Sequence, residues 1–439
     1  MDSITLQVHL DGQWRDAMVV NFDTPEDGLR SRCSASYVAE YLAGLIQQMG
    51  TVKSPAVSAD FPLSWEIRRD LAPAFLHDII PAGAARRHIL ARMAVPLDTY
   101  EEFFLLQRCC SAPIGHLRVK ESVDSVLAQG QVIGFPREEV IRRDTRFLDY
   151  AYERGAAIGG ATGAGGEAPK LLLVEDAAWN VFPDAVLPEH EVRRHWFVKF
   201  PRNAAGETDR NILRSEYCYY RALGQLGIDT IASDGLAYEM AEKPSLWMSR
   251  FDRKVTANGV ERTGVESIYS LCGVTRPGSR MDHLAVVERL AETWQAAGQA
   301  DQVPAMVSEY LRRDLINQIL GNTDNHGRNL SILRTHEQLS FAPIYDLAPM
   351  VMDPEGIVRT TKWPSAIERL NAVDWQAACA HMAHRADPEW LFARLREDAR
   401  LLLALPDLLV DLGLPGETWN APTIVLNRLE DTLRQWGLM

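Results

Sequence analysis

The sequence predicts an α/β N-terminal lobe followed by an all-α C-terminal lobe. Three observations lead there. An Asp11-Gly12 dipeptide separates two alternating runs at the start of the chain, strand-like runs recur between residues 170 and 251, and beyond about residue 265 the apolar spacing is helical almost throughout. Alternation puts every second side chain on one sheet face, whereas apolar residues at i, i+3 and i+4 build one helix face. A change of period therefore marks a change of architecture.

Taken in order, Ile4–Leu10 and Gln13–Val20 form a β-hairpin, because Asp-Gly tolerates the positive φ its turn demands. Ser36–Met49 has helical spacing, with Ser36 in the capping position. Ala84–Met93 and Pro96–Gln107 read as two further helices. Lys170–Val174, Trp196–Phe200 and Leu246–Phe251 read as strands, with a helix over Ile212–Gly224 between the last two. Val286–Ala296, Ala305–Leu320, Ala366–His384, Pro388–Leu403 and Ile424–Gly437 read as amphipathic helices. The resulting units are 1–150, opening with the hairpin; 151–265, carrying a Gly-rich loop and strands; and 266–439, all-α.

Composition narrows the function. The 439 residues are 46% hydrophobic and 24% charged, which excludes a disordered, collagenous or coiled-coil chain. A net charge of −13 disfavours direct nucleic-acid binding, since phosphates are neutralised by clustered Lys and Arg. No apolar run of about 18 residues and no apolar leader are present, so the expectation is a cytoplasmic protein with no membrane contact. The six cysteines make no CxxC pair and read as small buried hydrophobes rather than a zinc site.

Three segments carry chemistry. Residues 159–166 hold Gly159, Gly160, Gly163, Gly165 and Gly166. No Gly-Lys-[Ser/Thr] closes the loop, and a strand-like LLLV run follows where a dinucleotide fingerprint needs a helix. What remains is a flap over phosphates or a flexible linker. Lys199 lies between Val198 and Phe200 on a strand, which fits either a sheet edge or a phosphate ligand, with Lys170 as a second cation and Glu216 as acidic partner. GNTDNHGRNLSI is the sharpest feature: Asp324 and Asn329 stand five apart and Asp346 follows in FAPIYDLAP. Phosphoryl transfer needs an Asp to accept a hydroxyl proton, and further oxygens to hold Mg²⁺. A polar turn has the same composition.

GGEAPKLLLVED, WFVKF, SEYCYY, MSRFDRK, ILGNTDNHGRNLSIL and FAPIYDLAP together resemble the HipA-family toxin kinases, most strongly over residues 155–350. The resemblance implies a HipA-like, protein-kinase-like two-lobed fold with an ATP cleft between the lobes. It further implies transfer from ATP, with Mg²⁺, to a Ser or Thr of a protein substrate, and a helix-turn-helix antitoxin as partner, with DNA reached only through it. By position, Asp324 would be the catalytic base, and Asn329 and Asp346 would hold the metal. Gly163, Gly165, Gly166, Lys170, Lys199, His326, Arg328 and Asn329 would surround the phosphates. Ser249, Arg250 and Phe251 would run along the adenine, with Asp252 near the ribose. Arg328 stands where the family usually has lysine, and Ser249 where an acidic residue is common. The family's loop serine has no clear counterpart, Thr162 being the one hydroxyl residue there. A small-molecule kinase, or a non-catalytic nucleotide- or DNA-binding regulatory module, remains open at this point.

Overall fold

The computed structural model describes residues 2–92, 101–127, 132–143, 145–153, 170–184, 186–203, 205–369 and 372–439. The N-terminal unit is built on a five-stranded antiparallel sheet, ordered Arg68–Leu71, Arg32–Tyr37, Gln13–Phe22, Ser3–Leu10, Leu117–Val119. Asp11 and Gly12 take φ of 51° and 75°, as the hairpin turn requires. Ile4, Leu6, Val8 and Val20 face a core closed by the helix Glu101–Cys109 through Phe103 and Leu106.

The expected helix over Ser36–Met49 is not formed. Ser36 pairs with Val19 in the sheet, and helix is limited to Ala39–Ala43 and a 3₁₀ turn at Ile46–Gln48. The apolar residues that suggested helical spacing split between two duties. Tyr37 ends a strand, and Tyr41 packs parallel to it at 6.3 Å while its hydroxyl donates to Pro55 O. The expected helix over Ala84–Met93 is present as Gly83–Arg92.

A six-stranded sheet follows, ordered Leu236–Glu239, Ser245–Ser249, Arg194–Lys199, Lys170–Glu175, Asn180–Pro183, Phe135–Pro136. The helix Glu207–Gln225 lies against it. Its Gly206 cap position is stabilised by Asp209, whose carboxylate accepts from the Gly206 N–H at 2.9 Å.

Beyond residue 265 the chain is mostly helical, with His283–Ala296, Val303–Ile319, Pro388–Leu402 and shorter helices sharing one apolar core. It is not all-α. Gly264–Ser267, Ser331–Arg334 and Leu339–Phe341 form a three-stranded sheet, and two-residue strands pair at Met281–Asp282/Thr361–Lys362 and Glu368–Arg369/Ala372–Val373. These runs of two to four residues are too short to show a period, and pairing with distant partners decides them. The helix expected over Ala366–His384 accordingly begins only at Trp375, capped by Asp374. The last helix, Leu429–Gln435, is shorter than Ile424–Gly437 because a 3₁₀ turn precedes it. No helix among the described residues is long and apolar enough to cross a membrane.

Buried polar contacts join the N-terminal unit to the rest. Glu266 accepts from Ser58 Oγ at 2.5 Å and from the Ala59 N–H at 2.8 Å, and lies 3.2 Å from Arg334 Nε. Arg334 in turn donates to Ala56 O and Val57 O at 2.7 and 2.8 Å. Both side chains are almost fully buried. Removing one partner strands the other charge away from water, which costs about 3–5 kcal/mol. Arg334→Met is therefore expected to lower the thermal unfolding midpoint by several degrees; an unchanged midpoint would contradict this account of the junction.

Candidate active site

The site is organised by Lys199. On an antiparallel sheet directly paired residues share a face, and Lys199 pairs with Lys170 of the neighbouring strand. Both ammonium groups therefore leave the same face, Phe197 beside them, while Trp196 and Val198 point into the opposite core. The strand is interior to the sheet, so the edge-strand reading of Lys199 does not apply.

Lys199 Nζ lies 2.8 and 2.7 Å from the two Glu216 oxygens and 2.5 Å from Asp346 Oδ1. Lys170 Nζ reaches Asp346 Oδ2 at 3.0 Å. Glu216 and Tyr220 are one turn apart on their helix, and the Tyr220 hydroxyl donates to Glu216 at 2.6 Å. Burial alone would lower the Lys199 pKa, but Asp346 and Glu216 outweigh it and raise it. Burial alone would raise Asp346, yet the two lysines hold its carboxyl well below the usual carboxylate range. Asp346 sits at φ 53°, a conformation costly for a non-glycine residue.

The loop from Gly321 to Asn329 is shaped by its own side chains. Asn322 donates to Asn317 Oδ1 at 2.9 Å and accepts from the Asp324 N–H at 3.2 Å. The Asn329 amide nitrogen donates to Asp324 O at 2.6 Å, which leaves its side-chain oxygen for another ligand. His326 is buried and stacks on Tyr269, ring centroids 6.0 Å apart. Its Nδ1 accepts from the Arg328 N–H at 3.2 Å, so the proton of the neutral ring is on Nε2, 3.5 Å from Asp324 Oδ1. Burial lowers the His326 pKa and favours that neutral form. Gly327 is required: a Cβ there would stand 2.3 Å from the Tyr269 ring.

Asp324, Asp346, Lys170 and Lys199 line one small cavity. It adjoins a larger cleft walled by Phe197, Ile231, Met248, Phe251, Val265 and Tyr345. Phe251 and Tyr345 stack at 5.6 Å, and Ser249, Arg328 and Asn329 border the same cleft.

Arg250 lines the cleft with Ser249 and Phe251, while the Asp252 carboxylate expected near a ribose is engaged elsewhere. Both border the cleft, but their charged atoms are engaged elsewhere. Arg250 donates to Asp184 at 2.5 Å, to Asp252 at 2.9 and 2.6 Å, and to Pro113 O at 2.9 Å. Asp252 also accepts from the Gly115 N–H at 2.7 Å and from Arg253 at 2.6 Å. In a water-free setting opposite charges satisfy each other, so the Asp252 carboxylate is not free for a ribose. Gly163, Gly165 and Gly166 lie outside the described residues.

Sequence reasoning missed Asp78, which reaches the cleft from the N-terminal unit. It accepts from the Ser267 N–H and hydroxyl at 2.9 and 2.7 Å and lies 3.7 Å from Arg328 Nε. Burial pushes its carboxyl up to about 6. No local pattern marks it, because its partners are about 190 and 250 residues away.

Because Asp346 has a lower pKa folded than unfolded, its contribution to stability is present above about pH 4 and is lost as pH falls further. The midpoint difference between wild type and Asp346→Asn is expected to be full at pH 6 and to narrow below about pH 4. Thermal unfolding at stepped pH checks this; a gap that widens in acid contradicts it.

The family model for the HipA-like C-terminal domain matches residues 162–400. No sequence among the curated proteins matches the chain. Among solved structures the chain is similar to HipA of Shewanella oneidensis MR-1, solved as a toxin–antitoxin complex with HipB and its operator DNA. The two are 18% identical over 98% of this chain and 96% of that one, with a TM-score of 0.65, and they share a fold. It is also similar to the proinflammatory kinase CtkA of Helicobacter pylori, 13% identical over 64% of this chain and 93% of that one, with a TM-score of 0.35.

Proposed function

We propose that this chain, which belongs to the HipA-like family through its C-terminal domain, is an ATP- and Mg²⁺-dependent protein serine/threonine kinase of the toxin type. One observation carries the reading. Asp324 and Asp346, 22 residues apart in sequence, meet Lys170 and Lys199 in a single cavity beside a largely apolar cleft. That is the equipment of phosphoryl transfer: cations for phosphates, a carboxylate for a metal, and a second carboxylate for the acceptor.

The apolar walls around Phe251 and Tyr345 suit a nucleobase, and Lys199 and Lys170 suit its phosphates. Mg²⁺ is usually held by one or two carboxylates together with substrate phosphates. Asp346, whose oxygens pair with Lys199 and Lys170 here, and the Asn329 side-chain oxygen would hold such an ion once phosphates take over the lysines. When bound, the ion would neutralise phosphate charge as the γ-phosphoryl leaves. Asp324 accepts the proton of the attacking hydroxyl as the acceptor oxygen bonds to the γ-phosphorus and the bond to the ADP oxygen breaks. His326 Nε2, 3.5 Å from Asp324 Oδ1, stands near enough for a small shift to let it orient that carboxylate. Arg328, held near Asp78, keeps a cation at the cleft.

The similarity to HipA solved with HipB and operator DNA supports a helix-turn-helix antitoxin as partner, with DNA approached through it and not by this acidic chain directly. The acceptor is a cellular protein carrying Ser or Thr, and the site of action is the cytoplasm, where ATP is available.

Asp324→Asn keeps the shape and removes the charge. Transfer of label from radiolabelled ATP to a lysate protein is expected to fall about 10²–10⁴-fold. ATP affinity should stay within a few-fold, because ground-state contacts persist. Full transfer by this variant would overturn the assignment. Asp346→Ala addresses the metal: nucleotide binding should weaken and lose its Mg²⁺ dependence. Equal affinity in both proteins, with and without Mg²⁺, would sink that role.

A further inference from the structure

Three residues past Lys199 stands an arginine that the nucleotide reading does not use. Arg202 is 7% exposed and lines the small cavity with Asp324 and Asp346. Its guanidinium crosses to the segment that follows Asp346: Nε lies 2.9 Å from Asp353 Oδ2, and Nη2 lies 3.6 Å from Glu355 Oε2. The Asp353 side chain is fully buried. Nε, Nη2 and Asp353 Oδ2 all lack an aligned hydrogen bond, so charge rather than geometry holds the pair.

The segment is tied at several other points. The Val351 N–H donates to Gly321 O at 3.0 Å. Asp353 Oδ1 accepts from the Glu355 N–H at 2.9 Å, shaping an Asp-Pro-Glu-Gly turn. At its far end Thr361 Oγ1 donates to Asn325 O at 2.9 Å, and Asn325 returns a bond to Thr361 O at 3.3 Å. Both Gly321 and Asn325 belong to the loop that carries Asp324. Ala348 and Met350 wall the cavity beside Asp324, and Val358, 71% exposed, presents an apolar side chain on the outer surface.

In kinases the segment after the metal-binding Asp must be ordered before a protein acceptor can be used, and added phosphate paired with arginine is one way to order it. Here two carboxylates already supply the negative charge. We propose that residues 347–361 form the acceptor-facing wall of the site. Arg202 latches them permanently through Asp353 and Glu355, so the segment needs no phosphorylation to be competent. Arg202 is a positioning residue for the protein acceptor and does not bind the nucleotide. This rests on the kinase reading above.

The test uses the full chain, radiolabelled ATP with a bacterial lysate as the acceptor source, a fluorescent ATP analogue with Mg²⁺, and hydrogen exchange over 347–361. Arg202→Ala and, separately, Asp353→Asn are expected to speed exchange in the segment and cut protein labelling, each by about 10-fold or more, with nucleotide affinity within about 3-fold. Arg202→Lys keeps the charge and should recover most of the labelling, which separates the latch from a general folding defect. Phosphatase-treated wild type should label as well as untreated protein.

Unchanged exchange in Arg202→Ala overturns the latch. Unchanged exchange with about 10-fold weaker nucleotide binding makes Arg202 a nucleotide ligand instead. Loss of labelling after phosphatase treatment overturns constitutive competence. If wild type labels no protein and binds no nucleotide, the kinase reading falls, while the exchange comparison still decides whether Arg202 holds the segment.

Discussion

The rest of the site depends on the burial of the Lys199 ammonium. An isolated ammonium in a protein interior is too costly to keep, so it must be surrounded by acceptors. Strand register adds a second demand, because it sets Lys170 directly across from Lys199 on the same sheet face, where like charges repel. Glu216 answers the first demand from the following helix. Asp346 answers both, with one oxygen on each lysine. To do so it adopts φ 53°, and the chain leaving it is committed to run past the loop bearing Asp324. Sheet register, helix face and strained turn form one electrostatic unit, and the cleft takes its shape around it.

The N-terminal unit is part of this arrangement rather than an appendage. Among the described residues, buried polar junctions with the remainder of the chain include the 56–59 segment with Glu266 and Arg334, the 113–115 backbone with Arg250 and Asp252, and Asp78 with Ser267 and Arg328. At each, charge is removed from water, and groups of the N-terminal unit complete its hydrogen bonding or pairing. The middle junction explains why the charged atoms of Arg250 and Asp252 are engaged away from the cleft. Once the backbone at Pro113 and Gly115 packs against the segment after Ser249, these two side chains border the cleft with their charged atoms bound to each other and to that backbone.

How far the placement of these side chains was legible depended on whether its signal was local. The Asp324-to-Asn329 loop, Asp346 and the strand lysine announced themselves through residue type and spacing, because a loop that folds on its own side chains carries its instructions within a few residues. The hairpin at Asp11-Gly12 and the long helices were readable for the same reason. The helix expected over Ser36–Met49 failed because pairing of Ser36 with Val19 overrode local spacing. The all-α C-terminal lobe failed because strands of two to four residues have no period to read.

By itself, then, the sequence determined the element types wherever periodicity ran long enough, and marked Lys170, Lys199, Asp324 and Asp346 among the charged groups that meet at the site. Tertiary structure alone decided how those charges are shared: that Lys170 faces Lys199, that Asp346 bridges them, that Asp78 enters from far away, and that Arg202 turns toward Asp353 and Glu355. The physical reason is the range of the two kinds of information. Backbone periodicity and turn chemistry act over a few residues. The energy of a buried charge depends on whichever oppositely charged group the fold brings within about 4 Å, however distant it is along the chain.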